Sequence, residues 1–477
     1  MSNKPLLTEN GTTSDSEAKV DHLGAVTTTN PLAGQVRQFY DDATTRKAME
    51  VLPDIGRGAG KAVDFLQVPG TVLKHLCAEL SNSVLESALE RDLSLPDFRE
   101  RILTANQLVN WRLGRHGEAI VSSAISVRNK RPRVHLVAIP NGVGAEAFIH
   151  SLRIAFGADT VPLDVFVKKG KAVRYHHVQS IHVRTPLRKG PRVLGRAIAA
   201  AVDGIFDSSY ADHGRGTLFR NDEDATTSTQ ALMLAINLGF LIVGPIFKSD
   251  GTSPVSEYSW TMLANLAADT GIPVVVVLTP GALTGLLQIC PEQPVLSSRH
   301  LFMVEPFEST SGEWTNVALT VWLKYLARNS SRPPAWFVSS LWRLTLGRTE
   351  LAVKLAAFIA GAWAADGRQE LTEATLARYA AQGLLSEQYF LKAIIRAEQG
   401  GKFTSSAVMR FSDWLDFPTV LRSLPNLDQS SYGDFEKVYT EKVRYIDSVP
   451  APYGMSMRSV PAQYAMPKAR AVQEVGA

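Results

Sequence analysis

The stretch that most constrains this chain is residues 134–156. Val134 to Ile139 is a short apolar run with the length of a buried strand. Pro140-Asn141-Gly142-Val143-Gly144 follows as a glycine-bearing turn, and Ala145 to Phe156 carries apolar residues at helical spacing. Strand, glycine loop and helix in that order gather backbone N–H groups and a helix N-terminus at one point, where a phosphate is stabilised. A working loop of this kind ends in Gly-Lys-Ser/Thr; the lysine meets the β/γ-phosphates and the hydroxyl holds Mg²⁺. Here those places carry Ala145 and Glu146. A carboxylate at Glu146 repels phosphate, so tight ATP binding through this loop is not expected. The same residues also fit an ordinary strand-to-helix turn, because short glycine motifs are weak signals.

Around that stretch the chain divides by pattern. Residues 1–35 are polar, read as a disordered lead, and lack the apolar segment of a signal peptide. Residues 36–130 read as helical, with Leu73, Leu76, Leu80, Val84 and Leu85 on one face and Phe98, Ile102, Leu103, Leu108 and Trp111 on another. Gly56-Arg57-Gly58-Ala59-Gly60-Lys61 lacks a preceding strand and the Ser/Thr of a nucleotide loop, so it reads as a flexible linker. Over 131–330, strands expected at 134–139, 178–184, 239–244, 272–278 and 300–304 alternate with helices at 145–156, 191–204, 225–238, 255–270 and 312–327. That alternation predicts an α/β domain with a parallel sheet covered on both faces. After Arg332-Pro333-Pro334, residues 331–427 read as a small helical lid. Thr349 and Thr372 are its candidate helix caps. Residues 428–477 read as an extended tail. The apolar run Ala231–Phe247 is interrupted by Asn237, Gly239, Gly244 and Pro245, so it reads as a helix end and a strand, not a membrane span. Cys77 and Cys290 stand far apart, which excludes a disulfide framework and favours a reducing compartment.

Five further features bear on chemistry. In nucleotide hydrolases a second buried strand ends in acidic residues for Mg²⁺ and the attacking water. The strand through Phe240-Leu241-Ile242-Val243 ends instead in Gly244-Pro245. Thr279, after the strand 272–278, suits either a contact to a γ-phosphate or a helix cap. Between Val165 and Val202 there is no acid, and Lys168, Lys169, Lys171, Arg174, Arg184, Arg188, Lys189, Arg192 and Arg196 fall in that span. Such a run suits contacts to a DNA phosphate backbone, or is a solvated basic loop. The whole-chain charge of +4 is too small to argue for nucleic acid by itself. Arg299 precedes the strand Leu301–Val304 and suits either an arginine finger toward a neighbouring subunit or a surface ion pair. The histidines His176, His177 and His182 lack a carboxylate or cysteine partner in sequence, so no metal is expected there.

The order of these pieces resembles the AAA+ transposition regulators of the TnsC/TniB type. The resemblance spans about residues 65–400 and is carried by Ile139-Pro140-Asn141-Gly142-Val143-Gly144, His177–Pro186, Leu238–Val243 and Gly271–Val275. The lid segment Leu346-Gly347-Arg348-Thr349-Glu350-Leu351-Ala352-Val353-Lys354-Leu355, with Gly367 and Leu371-Thr372 after it, adds most. The resemblance implies a P-loop NTPase-like (AAA+) parallel-sheet core with an N-terminal helical region and a C-terminal helical lid. It implies DNA and transposase subunits as partners, a homo-oligomer or a hetero-oligomer with an active paralogue, and a cytoplasmic, nucleoid-associated bacterial setting. Carried over by position, Asn141 to Glu146, Gly244, Pro245, Thr279 and Arg299 form a degenerate nucleotide site. The expected function is an ATPase-dead adaptor in DNA transposition, in target selection or transposase regulation, without cofactor unless the altered site still takes ATP and Mg²⁺. The alternatives are an unorthodox active ATPase and an interaction scaffold without a DNA role.

Overall fold

The computed structural model describes residues 30–34, 71–115, 132–168, 171–184, 186–289, 293–327, 332–367, 370–398, 408 and 410–422. The Gly56–Lys61 stretch, Lys169, Thr185, Cys290 and the 428–477 tail lie outside them. Helices α1 (Thr71–Glu90) and α2 (Pro96–Arg112) lead into strand β1 (Val134–Ala138) and helix α3 (Ala145–Phe156). A hairpin of β2 (Thr160–Lys168) and β3 (Lys171–Val178) comes next, then β4 (Ser180–Val183) and α4 (Pro191–Phe206). The chain continues with α5 (Asp222–Ala235), β5 (Phe240–Ile246), α6 (Pro254–Thr270), β6 (Val274–Leu278), α7 (Pro280–Ile289) and β7 (Leu301–Met303).

The five-stranded sheet has the order β4-β5-β6-β1-β7, and every pairing in it is parallel. The first core strand therefore lies inside the sheet, and the glycine loop that follows it opens at the carboxyl ends of β1 and β6. With the helical lid described below, this is the α/β, P-loop NTPase-like architecture. Strand β6 shows why it forms: Val274 to Leu278 are all buried, the state of a parallel strand covered on both faces, where β-branched side chains fill the pleat. The expected strands and helices of the core are present with end shifts of at most three residues, except that the helix expected over 312–327 is α-helical over Gly312–Val321 and continues as a π-helical turn over Trp322–Leu326.

The hairpin β2–β3 was not expected. The basic run around it obscures its alternation, and the pairing Thr160↔Val178 through Lys168↔Lys171 closes it with lysines at its end. Residues 30–34, at the end of the polar lead, form a helical turn in which Leu32 and Ala33 are fully buried and Asn30 Nδ2 donates to Ala88 O at 2.8 Å. Helix α2 packs on α5, where Arg112 meets Asp224 at 2.9 Å.

A second apolar core starts at Trp314. It is built by α8 (Gly312–Val321), α9 (Phe337–Thr345), α10 (Thr349–Asp366), α11 (Glu373–Gly383), α12 (Gln388–Glu398) and the segment 410–422. Thr372 caps α11 as expected, its hydroxyl accepting from Thr375 N–H. Thr349 does not cap α10: Arg348 holds the cap position, and the Thr349 hydroxyl points back to the glycine loop, donating to Val143 O. Phe358 and Tyr389 are 39% and 52% exposed. Among the described residues no helix is long and apolar enough to cross a membrane.

Candidate functional site

The glycine loop, Asn141 to Glu146, sits at the carboxyl ends of the parallel strands, the crevice where open α/β sheets take their ligands. Its carbonyls are occupied by the lid. Arg348 Nη1 donates to Asn141 O, Glu350 N–H donates to Gly142 O at 3.0 Å, and the Thr349 hydroxyl takes Val143 O. Glu146, in the first turn of α3, pairs with Arg184 Nη1 at 2.9 Å. Burial raises the Glu350 carboxyl above the usual carboxylate range, and the nearby Glu146 charge adds to the rise.

The second strand is closed to an acid by sterics. Strand β5 runs on through Gly244-Pro245 to Ile246, where the expected strand stopped at Gly244, and its register against β6 shifts between Val243 and Ile246. Gly244 has φ +137°, and a Cβ there would collide with Val277 O. An aspartate at 244 would need both a strained backbone and a displaced β6. Gly244 O also accepts from His182 Nε2 at 2.8 Å.

Sequence reasoning missed Asp413. Phe411-Ser412-Asp413-Trp414 lies in the crevice: Asn141 N–H donates to Asp413 O at 2.7 Å, and Lys248 N–H to Asp413 Oδ1 at 3.0 Å. The Thr279 hydroxyl donates to the same Oδ1. Thr279 also accepts from Ala282 N–H at 3.2 Å as the cap of α7, the helix-cap reading of this residue. Burial raises the Asp413 carboxyl, against the hydrogen bonds from Thr279 and Lys248. No local signal marks this residue, because the contact joins positions 134 apart.

The predicted basic residues separate in space. Arg184 pairs with Glu146, Arg188 with Asp250 at 3.1 Å, Arg192 with Asp222 at 3.6 Å and Arg174 with Asp164 at 2.8 Å. A span without acids in sequence meets acids from α3, α5 and the turn after β5. These exposed pairs contribute little stability each and leave the arginines able to exchange partners. Lys168 and Lys171 lie at the end of the hairpin, Lys189 in the turn before α4, and Arg196 on α4. Arg299 is joined to Glu86 of α1 at 2.8 Å. His177 is buried with Nδ1 at 2.7 Å from Asn237 O, and burial holds its ring down to about 4. Among the described residues no three His, Cys, Asp or Glu side chains are grouped to hold a metal.

A Mg²⁺-triphosphate does not fit the groups present. The lysine and hydroxyl are replaced by Ala145 and Glu146, Gly244 excludes a carboxylate, and Asn141 N–H is already given to Asp413.

No protein-family model matches the sequence, and no curated protein matches it. Among solved structures, the chain is similar to the ORC2 protein of Aeropyrum pernix in its ADP form, at 13% identity and TM-score 0.37, over 69% of this chain and 84% of that one. The ADPNP-ADP complexes of the same protein give 13% and 0.36, over 76% and 91%. Cdc6p of Pyrobaculum aerophilum gives 13% and 0.36, over 76% and 90%. The fold described above rests on strand order and on the loop after β1, independently of these likenesses.

Proposed function

We propose that this chain is a non-hydrolysing adaptor on a P-loop NTPase-like core, of the AAA+ transposition-regulator type. In this reading it binds DNA and transposase subunits, and assembles with copies of itself or with an active paralogue. The observation that supports the non-hydrolysing part is the residue set at the crevice: Ala145 and Glu146 follow the glycine loop, and a Cβ at Gly244, at the second strand's end, would meet Val277 O. Asn141, Gly142 and Val143 give three successive carbonyls to Arg348, Glu350 and Thr349, so the loop serves as a joint between core and lid. The order of the sequence motifs supports the transposition setting. The β2–β3 hairpin supports the DNA contact, since it carries Lys168 and Lys171 at its end with Lys169 between them in sequence.

Two measurements on the purified chain test this. Mg²⁺-dependent ATP hydrolysis is expected to be absent with and without DNA; turnover that disappears on Gly144→Val would refute the reading. Changing Lys168, Lys169 and Lys171 to serine is expected to weaken DNA binding. The slope of log K against log salt is expected to become shallower by about 2–3, at roughly 0.9 for each phosphate no longer neutralised. An unchanged slope removes the hairpin from the DNA interface.

A further inference from the structure

We propose that the crevice at the carboxyl ends of β1, β5 and β6 is a recognition site for a peptide carboxylate flanked by aromatic residues. The chain's own Phe411-Ser412-Asp413-Trp414 is its built-in occupant. This deepens the adaptor reading and rests on its premise that the crevice holds no nucleotide.

The segment is held as a ligand is held. Its Asp413 carboxylate accepts from one hydroxyl, Thr279, and one backbone amide, Lys248. Its backbone is read at two successive carbonyls: Asp413 O by Asn141 N–H at 2.7 Å and Trp414 O by Arg348 Nη2 at 2.7 Å. Arg348 therefore bridges the glycine loop and the occupant. On the far side the segment is gripped by stacked rings. Phe390 lies parallel to Trp414 at 4.7 Å and edge-on to Phe411 at 6.0 Å, and Tyr389 lies 5.2 Å from Phe411. The Arg348 guanidinium lies over Trp414 at 5.7 Å. A segment that only filled space would place an apolar side chain at 413, since burying a carboxylate costs free energy unless donors receive it. The donors are present, and they come from the loop and strand ends that define the crevice.

Gly281 shapes the site for this occupant. A Cβ at Gly281 would lie 2.5 Å from Ser412 Oγ and 2.6 Å from Asp413 Oδ1. Its φ lies outside the left-handed region and it sits in the first turn of α7, so alanine does not strain the helix backbone; the same Cβ would also lie 2.9 Å from Lys248 Cβ, whose own N–H holds Asp413. A tethered segment competes at an effective concentration near millimolar, so a free peptide enters only when the tethered copy is weakened.

The test uses the full chain and a fluorescein-labelled peptide of residues 408–417, followed by fluorescence anisotropy. The Asp413→Ala, Trp414→Ala double variant is expected to bind the peptide at least about tenfold more tightly than the unaltered chain. Asn in place of the peptide's Asp413 is expected to lose about tenfold or more. Adding Gly281→Ala to the double variant is expected to abolish binding, and millimolar Mg-ATP to leave it unchanged. A double variant with native circular dichroism that ignores the peptide, or that binds the Asn peptide equally well, overturns the proposal. If the double variant does not fold, amide exchange at Asn141 in Gly281→Ala decides: lost protection there with β6 amides unaffected supports it, and unaltered protection overturns it. Displacement of the peptide by ATP would sink the adaptor reading as well, whereas absent peptide binding with inert ATP sinks this inference alone.

Discussion

Replacing Arg348 by methionine tests whether the glycine loop is a joint between core and lid. Arg348 is 2% exposed and donates to Asn141 O and to Trp414 O. Methionine keeps the stem's bulk and removes the guanidinium. Two charge-assisted bonds at about 1.5–3 kcal/mol each disappear, and relief from burying the charge returns part of that. The expected net loss is about 2–3 kcal/mol, local to the joint. The reporter is native-state amide exchange at Glu350, whose N–H donates to Gly142 O at 3.0 Å. A loss of that size lowers its protection by about 30–150-fold, at about 1.4 kcal/mol per tenfold. The amides of Val276 to Leu278, deep in the sheet, are expected to keep theirs. Two results refute the reasoning: unchanged protection at Glu350, or an equal fall in β6, which would mean global destabilisation instead of a broken joint.

Three further outcomes are expected. Gly244→Asp, which puts back the acid of a hydrolase strand, should lower stability by at least about 2 kcal/mol, because its Cβ meets Val277 O. It should confer no ATP turnover even with Ala145→Lys and Glu146→Thr; a stable triple variant that hydrolyses ATP contradicts this. His135 and His177 are both held down to about 4 from 6.5, first by burial. Their rings are neutral in the fold while the unfolded chain protonates near 6.5, so stability falls as pH drops from about 6.5 to about 4, and their contribution is flat below that. NMR titration checks it: ring signals of either residue that move above pH 6 would disprove the burial argument. His300, raised first by its hydrogen bond to Glu79, should titrate above 6.5.

Much of the core was legible because its signals are local. Val274 to Leu278 spell a doubly covered strand, and Ala145 to Phe156 forms a helix over the expected residues. Glu146 in place of Ser/Thr, and Gly244-Pro245 in place of acids, could be read directly from letters and order. The hairpin escaped because Lys171, Arg174, His176 and His177 are spaced irregularly along its second strand and masked a period of two. Thr349 misled for a related reason. A hydroxyl at a helix start usually accepts from its own helix, but here a carbonyl from the loop 206 residues earlier claims it.

By itself the sequence determined which segments are strands of a parallel sheet, where the glycine loop falls, and which residues stand on it. Periodicity and residue identity are properties of neighbours along the chain, so they survive without coordinates. Only the tertiary structure decided what each charge faces. It gave Arg184, Arg188 and Arg192 their acids, tied Arg299 to Glu86, and brought Asp413 to Thr279 across 134 positions. Electrostatic partners are chosen by distance in space, and that distance is set by how helices, sheet and lid pack on one another.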